Sequence, residues 1–427
     1  MTTHVAIIGS GIAAISAAIE VVSQGATVTV IGGRPGATAL HSGAWDIASD
    51  PTRYPHQPWN EILSPLHSLE ELKKRQPNHL YHLIAQNGQI PNLASFLVQT
   101  LKRLEKELSY PLHGSLEKNF LIPTPLGTVK TTAFVGPTQG GNLLEMQGGR
   151  LLIIGIKGLS FPAQQLAATL KDQTTRQPNP YCSDIMVREI SIKHLPTTTS
   201  MELAMKLDED PLIDSFHETL LRETEQAQAT HVLLPPVIGL QRTSHIFSRL
   251  RESKEIVWFE SLAIPPSIPG LRLHHRLEAF LKNGKVHFIE AEVSQTRTEK
   301  RRVLAVKTRN AQGQEEELLI DRLVLATGKF IGGGLNPSPL RESLFDLPVP
   351  SPSPLLAPHF FGDHRLLSAG LRVGPLLQPV DEKGRLAYEN LWAAGSVIGG
   401  YQATTEGCGM GVAVATGTLA GRLAVHA

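Results

Sequence analysis

The apolar and polar positions at the start of the chain predict a strand, a helix and a second strand. His4–Ile8 is a short apolar run of the kind that forms a buried strand. Ile15–Gln24 is rich in alanine, and its few polar positions fit a helix that packs on a sheet. Gly25 can end that helix in the left-handed conformation, and Thr27–Ile31 is the second apolar run. The pattern therefore predicts a βαβ unit.

The turn between the first strand and the helix has the sequence Gly-Ser-Gly-Ile-Ala-Ala, the GxGxxA variant of the dinucleotide-binding fingerprint. Gly9 permits the tight turn, Gly11 lets a pyrophosphate approach the backbone, and Ala14 keeps the helix close to the strand. The helix N-terminus adds free N–H groups and a positive dipole end. A coincidental glycine turn is the plain alternative. The residues expected to contact a nucleotide are Gly9, Ser10, Gly11, Ile12, Ala13 and Ala14.

The end of the second strand lacks the acidic residue that usually binds the adenosine ribose. The residues there are Ile31, Gly32, Gly33 and Arg34. Three explanations fit: the ribose is held in another way, the nucleotide binds weakly, or the cofactor has no adenosine ribose. FMN meets the third description, because it contains no adenosine.

Two apolar runs near the C-terminus predict strands that return to the same nucleotide site. Asp321–Gly328 ends in Ala-Thr-Gly, and Leu391–Gly400 ends in glycines. After the glycine-rich stretch Thr404–Gly411, the alanine-rich Val412–Ala424 predicts a helix. Backbone amides at such a helix N-terminus can face the edge of a flavin ring, which gathers negative charge when reduced. The residues expected to bind the cofactor here are Thr327, Gly328, Gly395, Ser396, Gly407, Gly409, Met410 and Gly411.

These three segments together resemble a two-dinucleotide-binding-type flavoprotein. We therefore expect an α/β fold, with a discontinuous Rossmann-like FAD/NAD(P)-binding domain and an inserted α+β cap domain. An NAD-only dehydrogenase is the alternative, but such a protein does not need the C-terminal strand and helix. We expect the flavin-binding domain to comprise residues 1–48, 270–334 and 385–427, and the cap or substrate domain residues 49–269. Residues 335–384 are rich in proline and predict an extended connection.

Composition and charge narrow the class of protein. The 427 residues include 40 Lys and Arg against 39 Asp and Glu, and this balance argues against a nucleic-acid-binding protein. Cys182 and Cys408 are the only cysteines, which excludes a disulfide framework or an iron–sulfur cluster within the chain and fits a reducing, cytoplasmic compartment. No cluster of His, Cys and Asp has metal-binding spacing. We expect neither a secretion signal nor a transmembrane span, because the N-terminal apolar run lacks preceding positive charges and the C-terminal run is short.

Several segments resemble the B subunit of anaerobic glycerol-3-phosphate dehydrogenase. They are Ala39–Asp46 just after the second strand, Gly149–Leu159, and Ala393–Gly409. The resemblance covers nearly the whole chain. The non-acidic end of the second strand is also a feature of that family.

The resemblance implies a flavin cofactor, FMN in that family with FAD as the alternative. It implies oxidation of sn-glycerol 3-phosphate to dihydroxyacetone phosphate during anaerobic growth. It also implies a complex with an FAD-containing catalytic subunit and an iron–sulfur subunit that passes electrons to the membrane quinone pool. The expected location is cytoplasmic, at the inner face of the cell membrane through those partners.

The segment after the second strand supplies further candidates. Ser42 and Gly43 are expected to contact the flavin through their backbones. His41 and Lys157 are candidates for a direct role at the flavin or substrate, with a capping or surface role as the alternative for His41. No residue is identified as the catalytic base.

Two other functions fit the same residues. The chain could be a flavin-bearing electron-transfer or assembly subunit without substrate chemistry, because no base and cation stand out together in the inserted region. It could also be a stand-alone enzyme that resembles fumarate reductase. That interpretation requires FAD and an arginine-rich dicarboxylate site, and the missing ribose acid counts against it.

Overall fold

A computed structural model of the chain describes residues 3–49, 64–176, 182–192, 197–253, 255–350, 353–360, 362 and 364–427. The chain divides into two compact units. Unit 1 contains Met1–Thr38, Leu69–Tyr110 and Arg276–Ala427, and unit 2 contains Ala39–Ser68 and Pro111–His275.

The strands of the described residues, in chain order, are β1 (His4–Ile8), β2 (Thr27–Gly32), β3 (Ala44–Trp45), β4 (His113–Gly114), β5 (Phe120–Pro123), β6 (Val129–Thr132), β7 (Phe134–Val135), β8 (Gly149–Ile156), β9 (Cys182–Ile190), β10 (His231–Leu234), β11 (Val257–Glu260), β12 (His287–Glu290), β13 (Glu292–Glu299), β14 (Arg302–Arg309), β15 (Glu315–Leu319), β16 (Leu323–Leu325), β17 (Leu335–Pro337), β18 (Leu340–Glu342) and β19 (Leu391–Ala393). The α-helices in the same residues are α1 (Ile12–Ser23), α2 (Pro65–Arg75), α3 (Leu80–Ala85), α4 (Leu93–Leu108), α5 (Ala163–Thr175), α6 (Ser200–Lys206), α7 (Asp210–Ala227), α8 (Thr243–Leu250), α9 (Ile268–Leu281), α10 (Ala403–Glu406) and α11 (Gly409–His426).

Unit 1 is built on a sheet with the strand order β12-β2-β1-β16-β19, in which every neighbouring pair is parallel. The central strands are almost wholly apolar and buried, as a parallel sheet covered on both faces requires. The sheet therefore places the predicted N-terminal βαβ unit beside both returning strands. The last of these is shorter than expected, because β19 ends at Ala393 and a 3-10 turn follows at Gly395–Val397.

Helices α1 and α11 pack closely in unit 1 because α11 has glycines at the contact. A Cβ atom on Gly417 would lie 2.2 Å from the carbonyl oxygen of Ala13, and one on Gly421 would lie 2.6 Å from that of Ala17. Neither distance leaves room for a side chain. The two glycines thus bring the backbone of α11 against that of α1.

The helices of residues 69–110 belong to unit 1, whereas the sequence predicted them to be part of the inserted cap domain. The reason is a buried carboxylate on α1. Glu20 is 1% exposed, accepts a hydrogen bond from Arg422 Nε at 2.8 Å and pairs with Arg103 of α4. A buried carboxylate is stable only with such partners, so α4 is held against α1.

Residues 335–384 also belong to unit 1, and they are more than an extended connection. They include the β17–β18 hairpin and a 3-10 helix at Arg365–Ser368. Glu342, at the end of the hairpin, is fully buried and accepts the N–H groups of Leu344 and Phe345. The prolines limit the length of regular elements, but the segment still contributes buried side chains.

Unit 2 has its own sheet, in the order β11-β10-β8-β9, and all its neighbouring strands are parallel. Small antiparallel pairings lie in the same unit, β3-β7-β4 and β5-β6. Along β8, Leu152 and Ile154 join one apolar cluster, and Leu151 and Ile153 join another. This alternation shows that β8 is buried on both faces. The boundary with unit 1 falls within α9, between His275 and Arg276, close to the expected position at 270.

Among the described residues, no helix combines the length and the apolar composition that a membrane crossing requires.

Candidate functional site

The turn after β1 has the shape that its sequence predicts. Gly9 has a φ of +122°, and a Cβ atom there would lie 2.3 Å from the carbonyl oxygen of Ala326, so that no larger residue fits. Gly11 is the N-cap of α1 and provides no side-chain cap. The Ile12 N–H donates to Thr38 Oγ1 at 3.2 Å. The other amides of the first turn lack partners within the helix, as at any helix N-terminus, and can receive a phosphate.

The end of β16 brings a second glycine turn to the same edge of the sheet. Gly328 has a φ of +79°, and Ser396 Oγ lies 3.8 Å from the position of a Cβ on it. Thr327 Oγ1 is buried without a hydrogen-bond partner among the described residues. A buried hydroxyl without a partner is costly, which indicates a missing polar ligand.

The turn after β19 completes this edge. Gly395 has a φ of +72°, its Cβ would lie 2.7 Å from that of Ala13, and its N–H donates to Thr416 Oγ1 at 2.8 Å. The fingerprint turn, the Ala-Thr-Gly strand and the C-terminal strand and helix therefore meet at the carboxyl ends of parallel strands. In open α/β sheets ligands bind at this edge.

Helix α11 begins at this edge. Gly407 takes a left-handed conformation with a φ of +53°, and Cys408 is the N-cap without a side-chain cap. Gly409 and Met410 form the first turn, and both are partly exposed. The amides of this turn are free for an electron-rich ligand.

The residues of this edge fit a flavin nucleotide. The donors are two helix N-termini without side-chain caps at the N-cap residue, and one orphaned hydroxyl, Thr327 Oγ1. Amides at α1 suit the phosphate, and amides at α11 suit the electron-rich edge of the ring. When bound, a flavin supplies the acceptor for a pair of electrons.

A buried polar cluster that the sequence did not reveal lies just before α11. His79 Nε2 is 3.2 Å from Glu406 Oε2, and Cys408 Sγ lies 3.6 Å from the same oxygen. The Gln402 N–H also donates to it at 2.9 Å. Burial alone would raise the pKa of Glu406, but the hydrogen bonds from His79, Gln402 and Gln76 outweigh burial and leave the pKa below its usual value. Glu406 is therefore a buried anion surrounded by donors.

The contacts of this cluster form a hydrogen-bond network, although His79, Glu406 and Cys408 also offer three ligand atoms that lie within 4.8 Å of one another. His79 Nδ1 accepts the Tyr81 N–H at 3.1 Å, so Nε2 carries the proton of the neutral ring. A metal-ligating histidine normally donates its other N–H to an acceptor. His79 cannot do so, and its Nε2–H points instead to Glu406. The expectation of no metal stays a prediction.

Lys329 follows the Ala-Thr-Gly segment directly. The sequence could have suggested this lysine as a site residue, because it comes next to a predicted cofactor-binding turn. Its Nζ donates to the carbonyl of Leu367 at 2.6 Å and lies 5.8 Å from the ring centre of Tyr401. Burial lowers the pKa of Lys329 to about 8. Burial, with Cys408 and Glu406 adding to it, raises the pKa of the Tyr401 phenol. Lys329 is thus a cation that can exchange a proton near neutral pH.

A cavity of about 560 Å³ lies in unit 1, next to α3 and the 399–400 glycines. Its size suits a small ligand. Its polar lining residues are Asn78, His82, Gln86, Ser368 and Arg372.

Unit 2 contains the remaining candidates. His41 Nε2 lies 2.6 Å from the carbonyl of Ala44, and its Nδ1 accepts the Gly43 N–H at 3.2 Å. Burial lowers the pKa of His41 to about 4. Because backbone groups occupy both ring nitrogens, His41 clamps the Ser42–Gly43 turn, and a general-base role has no support in this geometry. Gln139 packs beside Gly43 and is 1% exposed, and both of its amide atoms lack partners among the described residues.

Lys157 follows β8 and is exposed; its N–H donates to the carbonyl of Ile190. The structure thus places Ser42, Gly43, His41 and Lys157 in unit 2. The other predicted cofactor residues lie in unit 1.

Comparison with known families identifies the type of protein. The family described as FAD binding domain matches residues 4–412. The match covers most of the chain, so the chain belongs to this family. The flavin cofactor and the Rossmann-like fold expected from the sequence are thereby confirmed.

Curated relatives extend over nearly the whole chain. The B subunit of anaerobic glycerol-3-phosphate dehydrogenase from Vibrio cholerae is 27% identical over 438 residues, which cover 97% of this chain and 95% of the relative. Proteins of the same name from Actinobacillus pleuropneumoniae and Yersinia pestis are 28% and 27% identical, cover 97% of this chain, and are themselves covered to 97% and 96%. The expected resemblance is confirmed: the chain is a flavin-dependent oxidoreductase subunit similar to these B subunits.

Proposed function

We propose that the chain is a subunit of a glycerol-3-phosphate dehydrogenase and takes part in oxidising sn-glycerol 3-phosphate to dihydroxyacetone phosphate. The observation that carries the proposal is the meeting of Gly9, Gly328 and Gly395 at one sheet edge, beside the free amides of α11. Such an edge suits a redox-active ring. The similarity to B subunits along 97% of the chain supports the substrate class.

Oxidation of the secondary alcohol removes a hydride from the carbinol carbon and a proton from its hydroxyl. The amides of the first turn of α11 stabilise negative charge at the electron acceptor. Lys329, with a pKa of about 8, is the side chain of this edge that can take up a proton at Nζ. In this proposal Arg372 and His82 hold the substrate phosphate in the cavity that they line.

The proposal includes partner subunits. The relatives are named as B subunits, which supports an assembly with further chains. We propose that these are an FAD-containing catalytic subunit and an iron–sulfur subunit, which would carry electrons onward to quinone at the membrane.

An electron-transfer subunit without substrate chemistry is the second candidate function. The position of His41 favours it, because both ring nitrogens are bonded to backbone atoms and cannot act on a substrate. In that case the flavin would receive electrons only from a partner.

An anaerobic reduction experiment separates the two functions. The purified chain with its natural flavin is mixed with sn-glycerol 3-phosphate, and the visible flavin absorbance is followed; glycerol without phosphate is the control. Bleaching with the phosphate ester alone supports the dehydrogenase. A flavin that stays oxidised with substrate but is bleached by dithionite supports the electron-transfer subunit.

A further inference from the structure

The end of β2 carries no acid, but the neighbouring strand does. β12 pairs with β2 in parallel, and Glu290, the last residue of β12, is opposite Gly32, the last residue of β2. Adjacent strands lie roughly 4.8 Å apart. The backbone of Glu290 is therefore one strand spacing from the position where the ribose-binding acid is usually found.

The two glycines at the end of β2 make room for neighbouring side chains. A Cβ on Gly32 would lie 3.0 Å from Ser10 Cβ, and one on Gly33 would lie 2.9 Å from Glu290 Cγ. The stem of Glu290 thus lies over Gly33, and a side chain at position 33 would displace it. Gly33 takes no left-handed φ, so space, and not backbone conformation, is what this glycine provides.

The carboxylate of Glu290 is available to a ligand. It is exposed, and the described part of the chain gives it neither an ion pair nor a side-chain hydrogen bond. Glu292, two residues further on, forms an ion pair with Arg34. The second acid and the cation of this edge are therefore bound to each other, and Glu290 is the free acceptor.

We propose that Glu290 binds the ribose hydroxyls of the adenosine half of FAD, in place of an acid at the end of β2. The inference rests on the flavin cofactor of the proposed function. It explains the sequence Gly32-Gly33 as space for a carboxylate from the next strand, and it assigns FAD, not FMN, to this chain.

The test uses the holoprotein and its flavin-free form. Acid-released flavin is identified by chromatography and mass, and the flavin-free protein is titrated with FAD and with FMN by fluorescence quenching. The variant is Glu290→Gln, which removes the charge and keeps the shape. Glu292→Gln is the matched control on the same edge, and circular dichroism checks that each variant is folded.

We expect FAD in the holoprotein and a loss of FAD affinity of about tenfold in Glu290→Gln, the size of a lost charge-assisted hydrogen bond. FMN affinity should not change, and Glu292→Gln should keep its FAD affinity. In the double variant Gly33→Asp/Glu290→Ala, which moves the acid to the usual strand, FAD affinity should return.

Three results would overturn the inference. FMN as the only flavin, in a protein whose flavin is still bleached by sn-glycerol 3-phosphate, would contradict it and leave the proposed function intact. FAD in the protein with unchanged affinity in Glu290→Gln would show that Glu290 is a surface glutamate. Absence of any flavin, together with failure to bind added FAD and FMN, would contradict both the inference and the proposed function.

Discussion

His79 Nε2 lies 3.2 Å from Glu406 Oε2, although the two residues are separated by 327 positions in the chain. Each side chain of the pair also accepts a hydrogen bond from a backbone N–H close to it in the chain. His79 accepts that of Tyr81 at the start of α3, and Glu406 accepts that of Gln402 at the start of α10. The pair therefore ties α3 to the turn from which α11 begins. Through that turn it positions the amides that we assign to the cofactor.

Replacing Glu406 by alanine should destabilise the protein by about 2–3 kcal/mol, because it removes the carboxylate beside the buried His79 Nε2–H and leaves only the weak acceptor Cys408 Sγ, at 3.9 Å. The free energy of unfolding in urea gives the measurement. Thr404→Ala, at an exposed position nearby, is the control and should stay within about 0.5 kcal/mol of the parent. Equal stabilities for the two variants would contradict a structural role for the pair.

Stability should increase between pH 4 and pH 6.5 because of His41. Its pKa is about 4 in the folded protein against 6.5 as its ordinary value, so the unfolded chain binds the extra proton in this interval. The free energy of unfolding should therefore rise with pH, by up to about 3 kcal/mol for this group. His41→Gln should flatten the slope, whereas His245→Gln, which removes an exposed histidine, is the control. If the free energy of unfolding rises with pH as steeply in His41→Gln as in the parent, His41 is not the origin of this pH dependence.

Gly417→Ala should destabilise the protein, although alanine normally favours a helix over glycine. The added Cβ would lie 2.2 Å from the carbonyl oxygen of Ala13, so α1 and α11 must separate. We expect a net loss of about 1–3 kcal/mol, measured as a lower midpoint of chemical unfolding. Gly36→Ala is the control, because a Cβ there meets no atom within 4 Å. A stabilised Gly417→Ala variant would refute the close packing.

The rate of flavin reduction by sn-glycerol 3-phosphate should rise with pH around pH 8, as Lys329 loses its proton. A neutral amine can accept the substrate proton, and an ammonium cannot. Lys329→Met should lose this limb of the profile, measured by rapid-mixing absorbance. Lys383→Met, at an exposed turn, should keep it. The same limb in both variants would exclude Lys329 as its origin.

Arg372→Met should weaken substrate binding if the cavity of unit 1 holds the phosphate. We expect the apparent KM for sn-glycerol 3-phosphate to rise about tenfold, as for a lost charge-assisted contact, with little change in the reduction of the flavin by dithionite. Arg365→Met, outside the cavity lining, is the control. A similar KM in the two variants would place the phosphate elsewhere.

Local patterns in the sequence are enough to predict several elements. The apolar runs and Gly9, Gly11 and Ala14 specify a strand, a tight turn and a helix, because each depends on neighbours a few residues away. The alanine-rich C-terminal segment predicted α11 for the same reason, although its start at Gly409 and the early end of β19 were less accurately placed. Among these local signals, only the glycines at the turns indicate where a nucleotide can approach the backbone.

Contacts between distant segments are visible only in the folded chain. Glu290 reaches Gly33 because β12 pairs with β2, and His79 reaches Glu406 because α3 packs beside α11. The helices of residues 69–110 join unit 1 because Glu20, buried on α1, needs the cations of α4 and α11. Such pairings depend on strand order and on the burial of charge, which are properties of the whole fold and have no local pattern in the chain.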